Sequence, residues 1–143
     1  MPPPRAPWLC PRCRRPFRNR NQSHSCASRS VESFFEGRPG LKPLFDAVVG
    51  TVERFGPIRI DASPSGINIA ARSHFCGAKP VKDGLRVGFL LRRALVSPRV
   101  IHREPVGGGR AAYRVLIRRR RDLDAELRAW LREAYDANVG ALR

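Results

Sequence analysis

The sequence predicts an α+β protein: an antiparallel sheet covered on one face by N- and C-terminal helices and preceded by a small zinc-knuckle module. Three observations predict it. Apolar residues recur at helical spacing at both ends of the region 30–143, they alternate with polar or small residues between those ends, and Cys and His cluster ahead of it in the first 29 residues. The chain has 143 residues, enough for one hydrophobic core without disulfide stapling.

Residues 1–7 hold four prolines and read as a disordered leader, and residues 8–29 form the zinc knuckle. Cys10 and Cys13, then His24 and Cys26, give the spacing C-x2-C-x10-H-x-C. A two-residue spacer lets both thiolates of a turn point at one tetrahedral Zn(II). Residues two apart share a side only in extended chain, so His24 and Cys26 are expected to chelate from a loop or strand. Arg12, Arg14 and Arg15 favour thiolate over thiol by attraction. Four protein ligands close the shell and leave no position for a catalytic water, so the zinc is expected to be structural. A redox C-x-x-C pair and unrelated cysteines are the alternatives, and Pro11 with the Pro-rich leader disfavours the redox pair. Trp8 and Phe17 read as a miniature apolar cap on this module, with base stacking as the alternative.

The body, 30–143, opens with a short helix from Val31 to Glu36 that Ser30 can cap and Gly37 ends. A longer helix follows, in which Leu41, Leu44, Phe45, Val48, Val49 and Val52 lie on one face and Gly56-Pro57 stops the run. Short strands are predicted over Arg59–Asp61, Gly66–Arg72 and Phe75–Ala78, separated by Ser, Pro and Gly turn residues. Leu85, Val87, Phe89 and Leu91 alternate with Arg86, Gly88, Leu90 and Arg92, the pattern of a half-buried strand. Arg99–Glu104 and Ala112–Ile117 complete the sheet, and 105–110 is expected to be a flexible hairpin loop. In the last helix Asp122 is the expected N-cap; Leu123, Leu127, Trp130, Leu131, Ala134 and Tyr135 form its apolar face, and Asn138 and Gly140 end it. The face of the sheet away from the helices is expected to carry Arg and small residues.

Charge sharpens the division. Residues 1–29 hold seven arginines and no acidic residue, while the remaining 114 hold 21 basic and 12 acidic ones, and the formal net charge is +16. Such a balance attracts polyanions. Only three of the 28 basic residues are lysine, however, and a GC-rich genome yields the same arginine excess without selection for binding. Apolar runs such as Phe89-Leu90-Leu91 fall far short of the ~18 residues that a membrane span needs. The N-terminus lacks the apolar stretch of a secretory signal, so a reducing cytoplasm is the expected compartment.

Trp8, Cys10, Pro11, Cys13 and Phe17, the run from Asn19 to Cys26, and Phe35-Glu36-Gly37 resemble the opening of bacterial proteins of the domain-of-unknown-function family 5655. The resemblance continues through 39–44, Arg72 to Phe75 and Ala129 to Tyr135, and departs at Cys76 and in Gly107-Gly108-Gly109. It implies one α+β domain behind a cysteine-rich head, and it brings no catalytic residue.

The basic candidates for phosphate contact are Arg14, Arg15, Arg18 and Arg20 in the head and Arg118, Arg119, Arg120 and Arg121 between the last strand and helix, with help from Arg92, Arg93 and Arg114. A solvated connector is the plain reading of the 118–121 run. His74 and Cys76 are two apart and can form a nucleophile pair, but cysteine is more often a buried small hydrophobe and no orienting third residue presents itself. No phosphate-binding loop motif occurs and the carboxylates have no paired spacing, so no catalytic residue is assigned and an enzyme is the least favoured reading. The favoured one is a zinc-stabilised accessory protein that contacts nucleic acid non-specifically through phosphates. The alternative is a protein-interaction or small-ligand module with a purely structural zinc.

Overall fold

The computed structural model describes residues 6–24, 26 and 29–140; most of the proline leader, residues 1–5, lies outside the described residues. A two-stranded hairpin, β1 (Trp8–Leu9) and β2 (Pro16–Phe17), precedes a short 3-10 turn, Glu32–Phe35, and helix α1, Lys42–Glu53. Six strands follow: β3 (Arg59–Ser63), β4 (Gly66–Ala70), β5 (His74–Val81), β6 (Gly84–Leu91), β7 (Val100–Gly107) and β8 (Arg110–Ile117). Helix α2, Ala125–Val139, closes the fold. The six strands form one antiparallel sheet in the order β3-β4-β5-β6-β8-β7. The expected α+β class, with helices on one face, is what the chain adopts.

The core lies between sheet and helices. Leu85, Val87, Phe89 and Leu91 of β6 and Ala111, Tyr113, Val115 and Ile117 of β8 point into it, so alternation along these two paired strands sets the buried face. From α2 come Leu127, Trp130, Leu131, Ala134 and Tyr135; from α1 come Leu44, Phe45, Val48 and Val52. Trp130 stacks on Phe89 and Tyr135 meets Phe75 edge-on. Cys76 is part of this core, which answers the nucleophile question: burial drives its thiol far above the ordinary range, and His74 bonds Asp61 instead. Phe75 is the extra residue of a bulge, since Ile69 pairs with Cys76 and Ala70 with His74.

Tyr113 shows how the core holds a loop. Its fully buried hydroxyl accepts from the Leu95 amide at 3.0 Å and donates to the Arg93 carbonyl at 3.0 Å, fixing the chain that leaves β6. Tyr113→Phe strands both backbone groups, and the expected loss of unfolding free energy is about 1–3 kcal/mol in urea titration. A loss below a few tenths would show that water replaces the hydroxyl at no cost.

Several details differ from the sequence expectation. The 105–110 segment is not a flexible loop: β7 runs to Gly107, β8 starts at Arg110, and only Gly108 and Gly109 make the turn, with φ of 64° and 74°. Positive φ at both central residues is the tight hairpin turn that glycine permits. Pro105, which has no N–H to donate, is tolerated because β7 is an edge strand with no outer neighbour that needs a donor. The cap of α2 is Asp124, whose carboxylate accepts from the Leu127 amide at 3.0 Å, and not Asp122. Asp122 instead accepts from the amides of Arg118 and Arg119 at the end of β8, closing a separate 3-10 turn, Arg120–Asp122. The Ser30 hydroxyl accepts from the Ser33 amide, but the expected helix over 31–36 is a 3-10 turn over Glu32–Phe35 whose cap position is Val31, with no side-chain cap bond.

Candidate metal centre and the basic face of the sheet

The β1–β2 hairpin places the first two cysteines. The Arg14 amide donates to the Cys10 carbonyl at 2.7 Å and the Cys10 amide to the Arg15 carbonyl at 3.1 Å, a turn that reverses the chain between the strands. Arg14 takes a left-handed φ of 62° inside it. Cys10, Cys13, His24 and Cys26 bring their donor atoms within 4.8 Å of one another. The Cys10 and Cys26 sulfurs are 3.7 Å apart, and His24 Nε2 lies 3.4 Å from the sulfurs of both Cys13 and Cys26. Bonds of roughly 2.3 Å to sulfur and 2.0 Å to nitrogen put tetrahedral edges at roughly 3.5–3.8 Å, so the separations fit one four-coordinate ion.

The surroundings favour that state. The His24 Nδ1–H donates to the Gln22 carbonyl at 2.6 Å, which fixes the tautomer with Nε2 free to ligate. Backbone amides of Cys13 and Arg12 bond the Cys10 sulfur and bring its pKa down to about 6. Burial works against the Cys13 thiolate, but the Arg15 backbone and side chain both bond it and hold its pKa below the ordinary value. Cys26 goes the other way, raised by burial and by the adjacent sulfurs of Cys10 and Cys13. A third thiolate beside two others is costly unless a cation stands between them. The group can therefore hold a metal ion, and its three sulfurs and one imidazole suit a thiophilic one.

The head packs on the body. Phe17 is buried, stacks on the His24 ring at 4.1 Å between centroids, and meets His74 of β5 edge-on at 5.5 Å. Trp8 lies 6.0 Å from Phe17, completing the expected apolar cap, and burial removes Phe17 from any stacking role with a base. Arg15 is also buried, at 6% exposure, and its bond to Cys13 makes it a support of the metal group, whereas the sequence placed it among phosphate contacts. His74, held next to Asp61 at 3.3 Å, has its pKa lowered chiefly by burial and also by Arg15 and Arg59. The Arg29 amide donates to the Ala62 carbonyl of β3.

The face of the sheet away from the helices carries the expected arginines and small residues. Asn68, Gly77, Gly88, Arg114 and His102 pair in one row across five strands, and Lys79 pairs with Arg86 in the next. Asn68, Gly77, Lys79, Arg86, Gly88 and Arg114, together with Leu90 and Ala112, line a shallow groove of about 350 Å3. A β-carbon on Gly77 would lie 2.6 Å from the Ile67 carbonyl, so close approach of β4 requires glycine there. Burial and the neighbouring Arg114 lower the pKa of Arg86. Arg114 lies 3.8 Å from Glu104, and among the described residues neither Lys79 nor Arg86 has a carboxylate within ion-pair distance. Of the 12 acidic residues only Asp61 and Glu104 lie in strands; the others are on helices, 3-10 turns and connections.

The remaining basic candidates separate. Arg14, Arg18 and Arg20 are exposed in the head; Arg118, Arg119, Arg120 and Arg121 are exposed beyond the far end of β8. The eight residues of β8 put about 25 Å between the two groups. Arg93 leaves the basic set, because it forms a bidentate ion pair with Glu133 of α2 at 2.9–3.2 Å. Sequence reasoning missed Asn138, whose side chain accepts from the Arg72 and Ser73 amides and donates to the Ser73 hydroxyl, fastening the end of α2 to the β4–β5 turn. Its place at a helix end gave only the helix boundary.

A family model described as Domain of unknown function (DUF5655) matches residues 31–138. The match begins after the metal group, so the residues that looked most specific in the sequence, Trp8 to Cys26, stand outside it. Searches of curated proteins and of solved structures find no match.

Proposed function

The chain belongs to the family Domain of unknown function (DUF5655), and from that premise we propose that it is a zinc-stabilised accessory protein that binds nucleic acid through backbone phosphates. The observation that carries the reading is the run of cations along the open face of the sheet and at both of its ends. Lys79, Arg86 and Arg114 stand on the open face of the sheet, Arg14, Arg18 and Arg20 extend it at one end and Arg118, Arg119, Arg120 and Arg121 at the other; ten of the 12 acidic residues lie off the strands, and Asp61 and Glu104 are the two on this face. Phosphate contact needs such a face and no base-reading chemistry. The three aromatic residues of the six-stranded sheet, Phe75, Phe89 and Tyr113, are all buried, so the face offers cations without a stacking platform.

Zn(II) is the ion proposed for Cys10, Cys13, His24 and Cys26, with a structural role because all four positions come from the protein. The proposed division is a leader at 1–7, the metal head at 8–29 and the family domain at 30–143, working in a reducing, cytoplasmic setting. No catalytic role is assigned to any residue.

About four phosphate contacts on duplex DNA give log K against log[salt] a slope near −3.6, from roughly −0.9 per phosphate. Changing Arg86 and Arg114 to Gln should bring that slope toward zero by about two units and weaken binding alike on every sequence. Fluorescence anisotropy at several salt concentrations measures both. A flat salt response defeats the reading. The groove with the free Asn68 amide favours a second reading, a small-ligand site above a purely structural zinc, and saturable binding of a small molecule at unchanged affinity across salt would support it.

A further inference from the structure

Three arginines from separate segments meet where the head touches the sheet. Leu91, the last residue of β6, pairs with Ala111 of β8, so Arg92, just past the end of β6, stands beside Arg110, the first residue of β8. Like charges placed opposite each other in a sheet repel. The head adds a third. The Arg18 guanidinium lies over the β7–β8 turn, where a β-carbon on Gly108 would stand 3.2 Å from its Nη1. Burial, then the charges of Arg18 and Arg92, lowers the pKa of Arg110, which places the three within electrostatic reach of one another.

None of them is neutralised within the described residues. Arg59, Arg93, Arg99, Arg114 and Arg132 each reach a carboxylate; Arg18, Arg92 and Arg110 reach none. The Arg110 Nε is also buried without an acceptor, and it is the one side-chain atom in that condition among the described residues. Buried donors are almost always paired, so an orphan inside a cluster of like charge marks a place where an acceptor belongs. Arg18 and Arg92 are exposed, which leaves the cluster open to solvent and to a ligand.

We propose that Arg18, Arg92 and Arg110 form a discrete site for a phosphoryl group at the seam between the metal-binding head and the sheet. A phosphoryl group supplies several acceptor oxygens to planar guanidinium forks and cancels their mutual repulsion. The site deepens the phosphate-binding reading above by giving it one fixed position. It also joins the two parts of the protein, because Arg18 lies on the loop between the metal-binding residues Cys13 and His24 while Arg92 and Arg110 belong to the sheet.

The test uses the full chain and inorganic phosphate, with sodium chloride at matched ionic strength as the control. Phosphate should raise the wild-type Tm above the chloride value. Arg92→Gln and Arg110→Gln should each raise the Tm without phosphate, since one repelling charge is gone, and should lose the phosphate increment. If Arg110→Gln does not fold, the exposed Arg92 still carries the test. Equal increments in the wild type and in Arg92→Gln, or no increment beyond chloride, would overturn the proposal. A short oligonucleotide with and without a 5′-phosphate then identifies the source. A tenfold preference for the phosphorylated strand that Arg92→Gln abolishes assigns a terminal monoester, and equal affinities that Arg92→Gln lowers alike assign a backbone diester. Equal affinities untouched by Arg92→Gln count against the site. A phosphate increment with no salt-dependent strand binding would sink the nucleic-acid reading and leave this site standing.

Discussion

Replacing Cys13 by Ala is expected to take bound metal from about one ion per chain to near none. Three donors remain in the variant, but the knuckle that aims Cys10 and Cys13 at one point is broken, and the Arg15 side chain loses the sulfur it bonds. Structural zinc supplies about 10–16 kcal/mol in isolated finger peptides, far more than the small apolar cap of Trp8 and Phe17 can replace, so the head should lose its shape with the ion. The body should survive, because residues 31–138 match a domain family without the head and hold their own core. Elemental analysis beside far-ultraviolet circular dichroism measures both parts. Undiminished metal in the variant would sink the ligand assignment, and cooperative collapse of the whole spectrum would show that head and body are one folding unit.

The other large effect is expected in the core. Leu131 of α2 is fully buried between the helices and the sheet, and Leu131→Ala removes its outer carbons while its neighbours stay fixed by the sheet. The expected cost is about 2–5 kcal/mol, transfer of the lost groups plus the cavity that remains. Against a total of about 5–15 kcal/mol for a domain, that is a large share of the stability. Urea denaturation reports it directly; a cost under about 1 kcal/mol would mean that the core collapses to fill the space.

Local patterns carried the sequence reading where the physics is local. Alternation from Leu85 to Leu91 located a strand because the pleat repeats every two residues, and the Cys and His spacing located the metal group because a knuckle is a short turn. The cap of α2 was misplaced because Asp122 and Asp124 are the same residue type two positions apart, and what separates them is a bond to the end of β8. The 105–110 segment read as loop because three glycines and a proline usually mark one, whereas an edge strand accepts the proline and a tight turn uses the glycines. Arg15, Arg93 and Arg110 could not be sorted from the other arginines at all. Their roles depend on Cys13, on Glu133 forty residues away, and on a head that folds back over the sheet.

The net charge also has a kinetic meaning. A formal charge of +16 gives the chain a long-range field that attracts polyanions. Under the phosphate-binding proposal, association should therefore quicken at low ionic strength and slow steeply as salt rises.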